Sequence, residues 1–393
     1  MSPTTPGSRP LRVLIAPDSF KGSLDPTTVA GALADGWRRA RPLDEITLIP
    51  LADGGEGTLE AIKAARGEWL ELPAHARDPL GRPLRATFLR RGNEAVIEMA
   101  VASGLSRLAP DERDALAAST FGTGQVIAAA LGLGVRDIVL GMGGSATTDG
   151  GAGLLTALGA RFYDDQGNDL IPGGGALADL ARIDLDEVSP VLGEVHLTIA
   201  SDVTNPLLGE RGAAATYGPQ KGADAEQVAH LDANLARYAD LLEAAAGRSI
   251  RDQPGSGAAG GAIAGLLAIA DRFASFEVRS GVEVVMELAD FDAALAATDL
   301  VLTGEGRVDE QTGYGKTAQG VARRARDASV PCICFGGGVT PRGIEALAAL
   351  GAVVVPVIER PMPVEEAMAA GPEPLVRAAE RAARLVSLLD SAS

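Results

Sequence analysis

Apolar residues fall in short unbroken runs, each followed by a glycine-rich loop and then by a stretch in which they return every three or four positions. Residues 11–16 (LRVLIA) form the first run, which predicts a strand. Asp25-Pro26 behind it reads as the cap and first-turn proline of a helix with Val29, Leu33 and Trp37 on one face. Residues 46–51 predict a second strand that runs into Asp53-Gly-Gly-Glu-Gly-Thr58 and another helix. Toward the other end, residues 300–303 predict a strand, residues 304–317 a glycine-rich loop and residues 318–327 a helix. Residues 331–335 and 352–358 read as two more buried strands, each with a helix after it. Strand–loop–helix alternation with apolar strands predicts an α/β fold, a parallel sheet covered on both faces. Ligands of such sheets collect at the carboxyl ends of the strands.

The middle of the chain breaks this rhythm. Residues 77–83 are turn-rich, and residues 86–89 and 95–99 predict a hairpin. A strand at 197–200 follows, then a long helix over 225–246 with Val228, Leu231, Leu235, Tyr238 and Leu242 on one stripe and Gly247 at its end. The expected organisation is a loose polar tail over residues 1–10, a core domain of residues 11–77 and 295–393, and a second α/β domain inserted at residues 78–294. The active site is expected in a cleft between the two domains.

Residues 141–153 read GMGGSATTDGGAG, on the end of the apolar run Asp137-Ile-Val-Leu140. Glycine at this density lets a backbone approach a ligand closely and aim its N–H groups at an anion, and a helix opening behind it adds positive partial charge. A tight structural turn is the plainer reading. Asp-Gly-Gly-x-Gly occurs at both Asp53 and Asp149, each time before a helix. Residues 255–261 (GSGAAGG) are a further such run, either a second anion cradle or a close helix contact.

Charge narrows the choice of partner. The formal net charge of -17 argues against nucleic acid and anionic membrane surfaces, so an anion must be caught locally. Arginine carries most of the positive charge, and the only lysines are Lys21, Lys63, Lys221 and Lys316. Three of these lie in short Gly/Ser/Thr-rich stretches, where a compact point charge is useful. Gly315-Lys-Thr317 does not complete a P-loop, because Glu310 stands where that motif needs glycine. A GxGxxG fingerprint is absent after the first strand, which disfavours a nicotinamide-dependent oxidoreductase. A ligand sensor without catalysis gives no reason for the carboxylates at the strand ends: Asp18, Asp53, Asp149, Asp202, Glu305 and Asp309. Such oxygen ligands suit Mg²⁺ beside substrate phosphates, or one of them serves as a base for an attacking hydroxyl. Asp18 and Asp25 are assigned to turn and cap duty. Cys332 and Cys334 sit two apart in an apolar strand and read as core thiols of a cytoplasmic protein.

Six stretches together resemble the bacterial glycerate kinase family: APDSFKGSL at Ala16, PLADGGEGT at Pro50, GMGGSATTDGGAG at Gly141, ASDVTNPLLG at Ala200, YGPQKGA at Tyr217 and TGEGRVDEQTGYGKT at Thr303. They span nearly the whole chain. The resemblance implies ATP-dependent, Mg²⁺-assisted phosphorylation of D-glycerate, giving 2-phosphoglycerate rather than 3-phosphoglycerate, by a Rossmann-like core with an inserted domain. On that reading Lys21, Asp53 and Asp149 are catalytic. Ser19, Lys21 and Ser23, with Gly54, Gly55, Glu56 and Thr58, bind glycerate. Gly143, Gly144, Ser145, Thr147, Thr148, Lys221 and Lys316 receive the nucleotide, and Asp149 and Asp202 hold the metal. Oligomeric state is left open, a homo-oligomer included.

Overall fold

The computed structural model describes residues 9–65, 68–309 and 317–390. The chain divides into two compact units, residues 1–53, 60–67 and 282–393 in one, and residues 54–59 and 68–281 in the other. These breaks lie at 67/68 and 281/282, against the 77/78 and 294/295 expected from the pattern. Pairing explains the first shift, since the strand Leu70–Arg77 is hydrogen-bonded antiparallel to Pro83–Arg91 of the second unit. Packing explains the other, since Val282 and Met286 lie against Gly320 of the helix Thr317–Asp327.

The first unit holds five parallel strands, in chain order Arg12–Ile15, Glu45–Leu48, Leu300–Val308, Cys332–Val339 and Ala352–Pro356. They stack fifth, fourth, third, first, second. This is the doubly wound order 2-1-3-4-5, whose direction reverses between the first and third strands, and ligands of such sheets bind beyond that reversal. The helix Pro26–Ala40 begins at Asp25, whose side chain accepts from Thr28 N. Its Val29, Leu33 and Trp37 are fully buried among Ile15, Leu302, Phe335 and the Leu375–Ala379 face of the helix Glu373–Asp390. Close approach of these two helices requires Gly36, because a Cβ there would lie 2.1 Å from the Val376 carbonyl oxygen. Gly36→Ala is expected to lose about 1–3 kcal/mol of stability despite alanine's better helix propensity. Urea unfolding checks this; an unchanged midpoint would contradict the packing argument.

The second unit is built on a six-stranded sheet in the order Ser275–Arg279, His196–Ala200, Asp137–Gly141, Glu94–Glu98, Pro83–Arg91, Leu70–Arg77. The first four run parallel and the last two antiparallel. The expected hairpin is present as Pro83–Arg91 with Glu94–Glu98. The helix Ala225–Ala246 starts on an Asp224–Gln227 capping box, buries Leu231, Leu235, Tyr238 and Leu242, and stops at left-handed Gly247. Among the described residues no helix is long and apolar enough to cross a membrane.

Candidate active site

In the first unit, residues 16–24 leave the first strand at the point where strand order reverses. Asp18 N donates to the Gly304 carbonyl at 2.9 Å, which pins the loop to the third strand. Gly306 packs closely against Phe20, since a Cβ there would lie 3.1 Å from Phe20 Cα. A turn closed by Ser23 N to Phe20 O (2.8 Å) leaves Lys21 exposed. Ser23 Oγ donates to the Met368 carbonyl at 3.0 Å, and Ser19, half-buried, gives its amide to Asp18 Oδ1 at 2.6 Å. Asp18 also accepts from Thr317 Oγ1 at 2.6 Å. Loss of solvent, and then the neighbouring charge of Asp53, pushes the Asp18 carboxyl up to about 7. Nothing local in the chain marks this, since an aspartate after a strand reads as a turn residue; its position beside the strand-order reversal was the missing signal. Asp53 itself is exposed, and Glu305, on the third strand, is buried. Lys316 lies outside the described residues.

In the second unit, three loops meet at the carboxyl ends of parallel strands. Met142 N donates to Ala200 O and Gly143 N to Gly54 O, both at 3.3 Å. A Cβ on Gly143 would lie 2.4 Å from Gly55 Cα, so the two glycine-rich loops touch backbone to backbone. Gly54 and Gly55 are therefore buried, whereas Glu56 and Gly144 are exposed and Gly143 half-exposed. Thr58 is buried and its hydroxyl donates to Gly55 O at 2.8 Å, so it shapes the loop. Behind it Leu59 N donates to the buried Glu98 at 2.7 Å, a carboxylate at a helix start that the sequence reading did not single out. Ser145 is nearly buried, and Thr147 and Thr148 are wholly so, the two threonine hydroxyls having no partner among the described residues. Asp202, at the end of the strand His196–Ala200, is half-buried and accepts from Gly281 N at 3.2 Å.

Asp149 has no exposed surface. Its Oδ2 accepts from Thr120 N (2.8 Å), Thr120 Oγ1 (2.9 Å), Gly153 N (3.2 Å) and Ser119 Oγ (3.3 Å), and its Oδ1 from Gly151 N (3.1 Å). Two helices, Phe121–Gly132 and Ala152–Ala157, thus begin at this carboxylate, so the anion at the loop's helix start belongs to the protein itself. Burial pushes Asp149 up from the usual carboxylate range while these hydrogen bonds pull it down. Lys221, expected to meet a phosphate, is 1% exposed and its Nζ donates to the Thr147 carbonyl at 2.5 Å. Burial draws its ammonium down to about 7, against the charge of Asp149. The second glycine run is a packing contact here: Gly150 N donates to Gly260 O at 3.0 Å, and a Cβ on Gly260 would lie 1.9 Å from Thr147 O. Among the described residues no group of three or more His, Cys, Asp or Glu side chains could hold a metal. A divalent cation would have to rest on one or two carboxylates with substrate oxygens completing its shell. Asp202, part-exposed at a strand end, fits that demand better than Asp149.

Comparison with known proteins accords with this arrangement. The model of the glycerate kinase family matches residues 13–387. Glycerate kinase of Halalkalibacterium halodurans is 43% identical over 383 residues, 96% of this chain and 98% of its own length. Glycerate 2-kinase of Escherichia coli is 42% identical over 332 residues, covering 84% of this chain and 86% of its own. The crystal structure of a candidate glycerate kinase 2 from Salmonella typhimurium LT2 superposes with a TM-score of 0.81 at 41% identity, over 98% of this chain and 100% of that one. The strand-end loops, the glycine contacts and these likenesses together show that the chain belongs to the glycerate kinase family.

Proposed function

We propose that the protein transfers the γ-phosphoryl group of ATP to the 2-hydroxyl of D-glycerate, with Mg²⁺, giving 2-phosphoglycerate and ADP in the cytoplasm. Family membership supports the activity, and the name of the Escherichia coli relative supports the 2-position. The observation that carries the chemistry is the pair Asp18 and Asp53, one carboxyl desolvated by its surroundings and the other exposed, on strand-end loops of one sheet.

Lys21 and the Ser19–Ser23 turn receive the glycerate carboxylate. Asp53 accepts the hydroxyl proton as the oxygen bonds to the γ-phosphorus and the bond to the β–γ bridging oxygen breaks, releasing ADP. Asp18, held by Thr317 and the Ser19 amide, keeps a negative field beside Asp53 once ionised. Exposed Gly144 and the amide of Ser145 meet the nucleotide phosphates, while the buried threonines and Asp149 hold the loop in shape. Asp202 would hold Mg²⁺, which would supply charge neutralisation for the triphosphate. Positioning and charge account for most of the catalysis in such transfers.

Phosphorus NMR of ATP and D-glycerate with the purified protein tests this reading. The expected product is 2-phosphoglycerate; 3-phosphoglycerate would overturn the position, and unconsumed ATP the activity. A pH effect follows as well. Because ionised Asp18 strengthens the negative field that draws the hydroxyl proton to Asp53, kcat/KM for D-glycerate should rise with pH through about 7, the value to which Asp18 is pushed. Asp18→Asn should abolish that limb, because the titrating carboxyl is gone; a limb left in place assigns it to another group. The same shift has the opposite sign for stability. A carboxyl with a folded pKa above 3.8 contributes stability at acid pH that is lost as pH rises through about 7.

A further inference from the structure

Among the described residues Lys221 is the one lysine that the fold takes wholly out of water, and no step of the proposed transfer uses it. Its backbone is held firmly. Pro219–Lys221 is a single 3₁₀ turn, Gly222 beyond it is left-handed at φ +96°, and Arg113 Nη1 donates to Gln220 O at 3.3 Å. A Cβ on Gly222 would lie 2.7 Å from the Arg113 carbonyl oxygen, so the chain passes Arg113 with no slack. From this turn the side chain runs inward and delivers its ammonium to the Thr147 carbonyl, in the charge field of Asp149.

Burying an ammonium is costly unless a partner compensates it, so the contact is specific to where the charge ends. Thr147 lies three residues beyond Gly144, the part of the loop that faces outward. Gly144 is exposed, and the amides of Gly144 and Ser145 donate to nothing among the described residues. The loop is fixed behind that stretch at two adjoining places: Ala146 N on the Ser103 carbonyl at 2.9 Å, and Thr147 O under Lys221. The Thr147 hydroxyl has no partner among the described residues, so the carbonyl contact is the polar anchor of that residue.

Building on the kinase reading, we propose that Lys221 is a positioning residue: its ammonium clamps the Thr147 carbonyl and so presents the Gly144 and Ser145 amides to the nucleotide phosphates, without touching ATP itself. A direct phosphate ligand acts only when nucleotide is bound; a clamp sets the loop before it arrives.

Hydrogen exchange on the ligand-free protein separates the two, combined with steady-state kinetics of Lys221→Met, which keeps the stem and removes the charge. The expected result is faster exchange over residues 142–149 without nucleotide, unchanged exchange over the strand Ser275–Arg279, and a KM for ATP raised about 10- to 100-fold with KM for D-glycerate within about twofold. In Lys221→Ala, methylammonium should restore at least part of the lost kcat/KM for ATP. Unchanged exchange with a raised KM for ATP would make Lys221 a direct ligand and overturn the proposal. Exchange raised across the whole second unit, or equal changes in both KM values, would reduce it to a fold-stabilising residue. Should the alanine variant not fold, the methionine variant carries the test alone. Failure of the wild-type protein to consume ATP would overturn the kinase reading, while the exchange measurement would still report on the clamp.

Discussion

Lys21→Ala is expected to lower kcat/KM for D-glycerate by about two to four orders of magnitude, the scale of removing a preorganised charge from a transfer site. The residue is exposed on a turn whose backbone is closed by its own hydrogen bonds, Phe20 N to Leu24 O at 2.9 Å among them. Truncating the side chain therefore leaves the loop and the unfolding midpoint in place, and the loss falls on substrate binding and transfer. Lys21→Arg should recover only a fraction, because a planar guanidinium does not replace a compact ammonium on one carboxylate. Steady-state kinetics at fixed saturating ATP decide it, and near-normal turnover of the alanine variant would remove Lys21 from the site.

The second large effect is on folding. Asp149→Ala removes the acceptor of five hydrogen bonds, strips two helix starts of their anion and takes away the negative charge that favours the buried Lys221 ammonium. Leaving several buried donors unsatisfied, at about 1–3 kcal/mol each, should cost about 3 kcal/mol or more in total. Asp149→Asn should cost less, since its amide oxygen still accepts, though its NH₂ must face donors. Urea unfolding of both variants gives the comparison. A loss below about 1 kcal/mol in the alanine variant would mean that the two helix starts find other partners.

Much of the molecule was legible in the sequence because its signals are local. An unbroken apolar run between glycines gives a buried strand, and Asp25 before Pro26 gives a helix start. The stripe Leu231, Leu235, Tyr238 and Leu242 gives a buried helix face, and all four are fully covered. The strand Leu70–Arg77 was missed because its partner is Pro83–Arg91 and its own burial pattern is mostly exposed. Without an apolar run there is nothing local to read.

The glycine-rich loops and their lysines were likewise visible as places where chemistry collects, but their division of labour was not. Composition treats Lys21 and Lys221 alike, and equally Asp18, Asp53 and Asp149. Solvent separates them: Lys21 and Asp53 are exposed, Lys221 and Asp149 are sealed in, and Asp18 is desolvated beside a like charge.

By itself the sequence determined the α/β class, the glycine-rich strand-end loops and the family. Only the tertiary structure decided which charges stay in water and which are sealed into the frame. A side chain's chemistry depends on the water and partners around it, and those come from strands and loops distant in the chain.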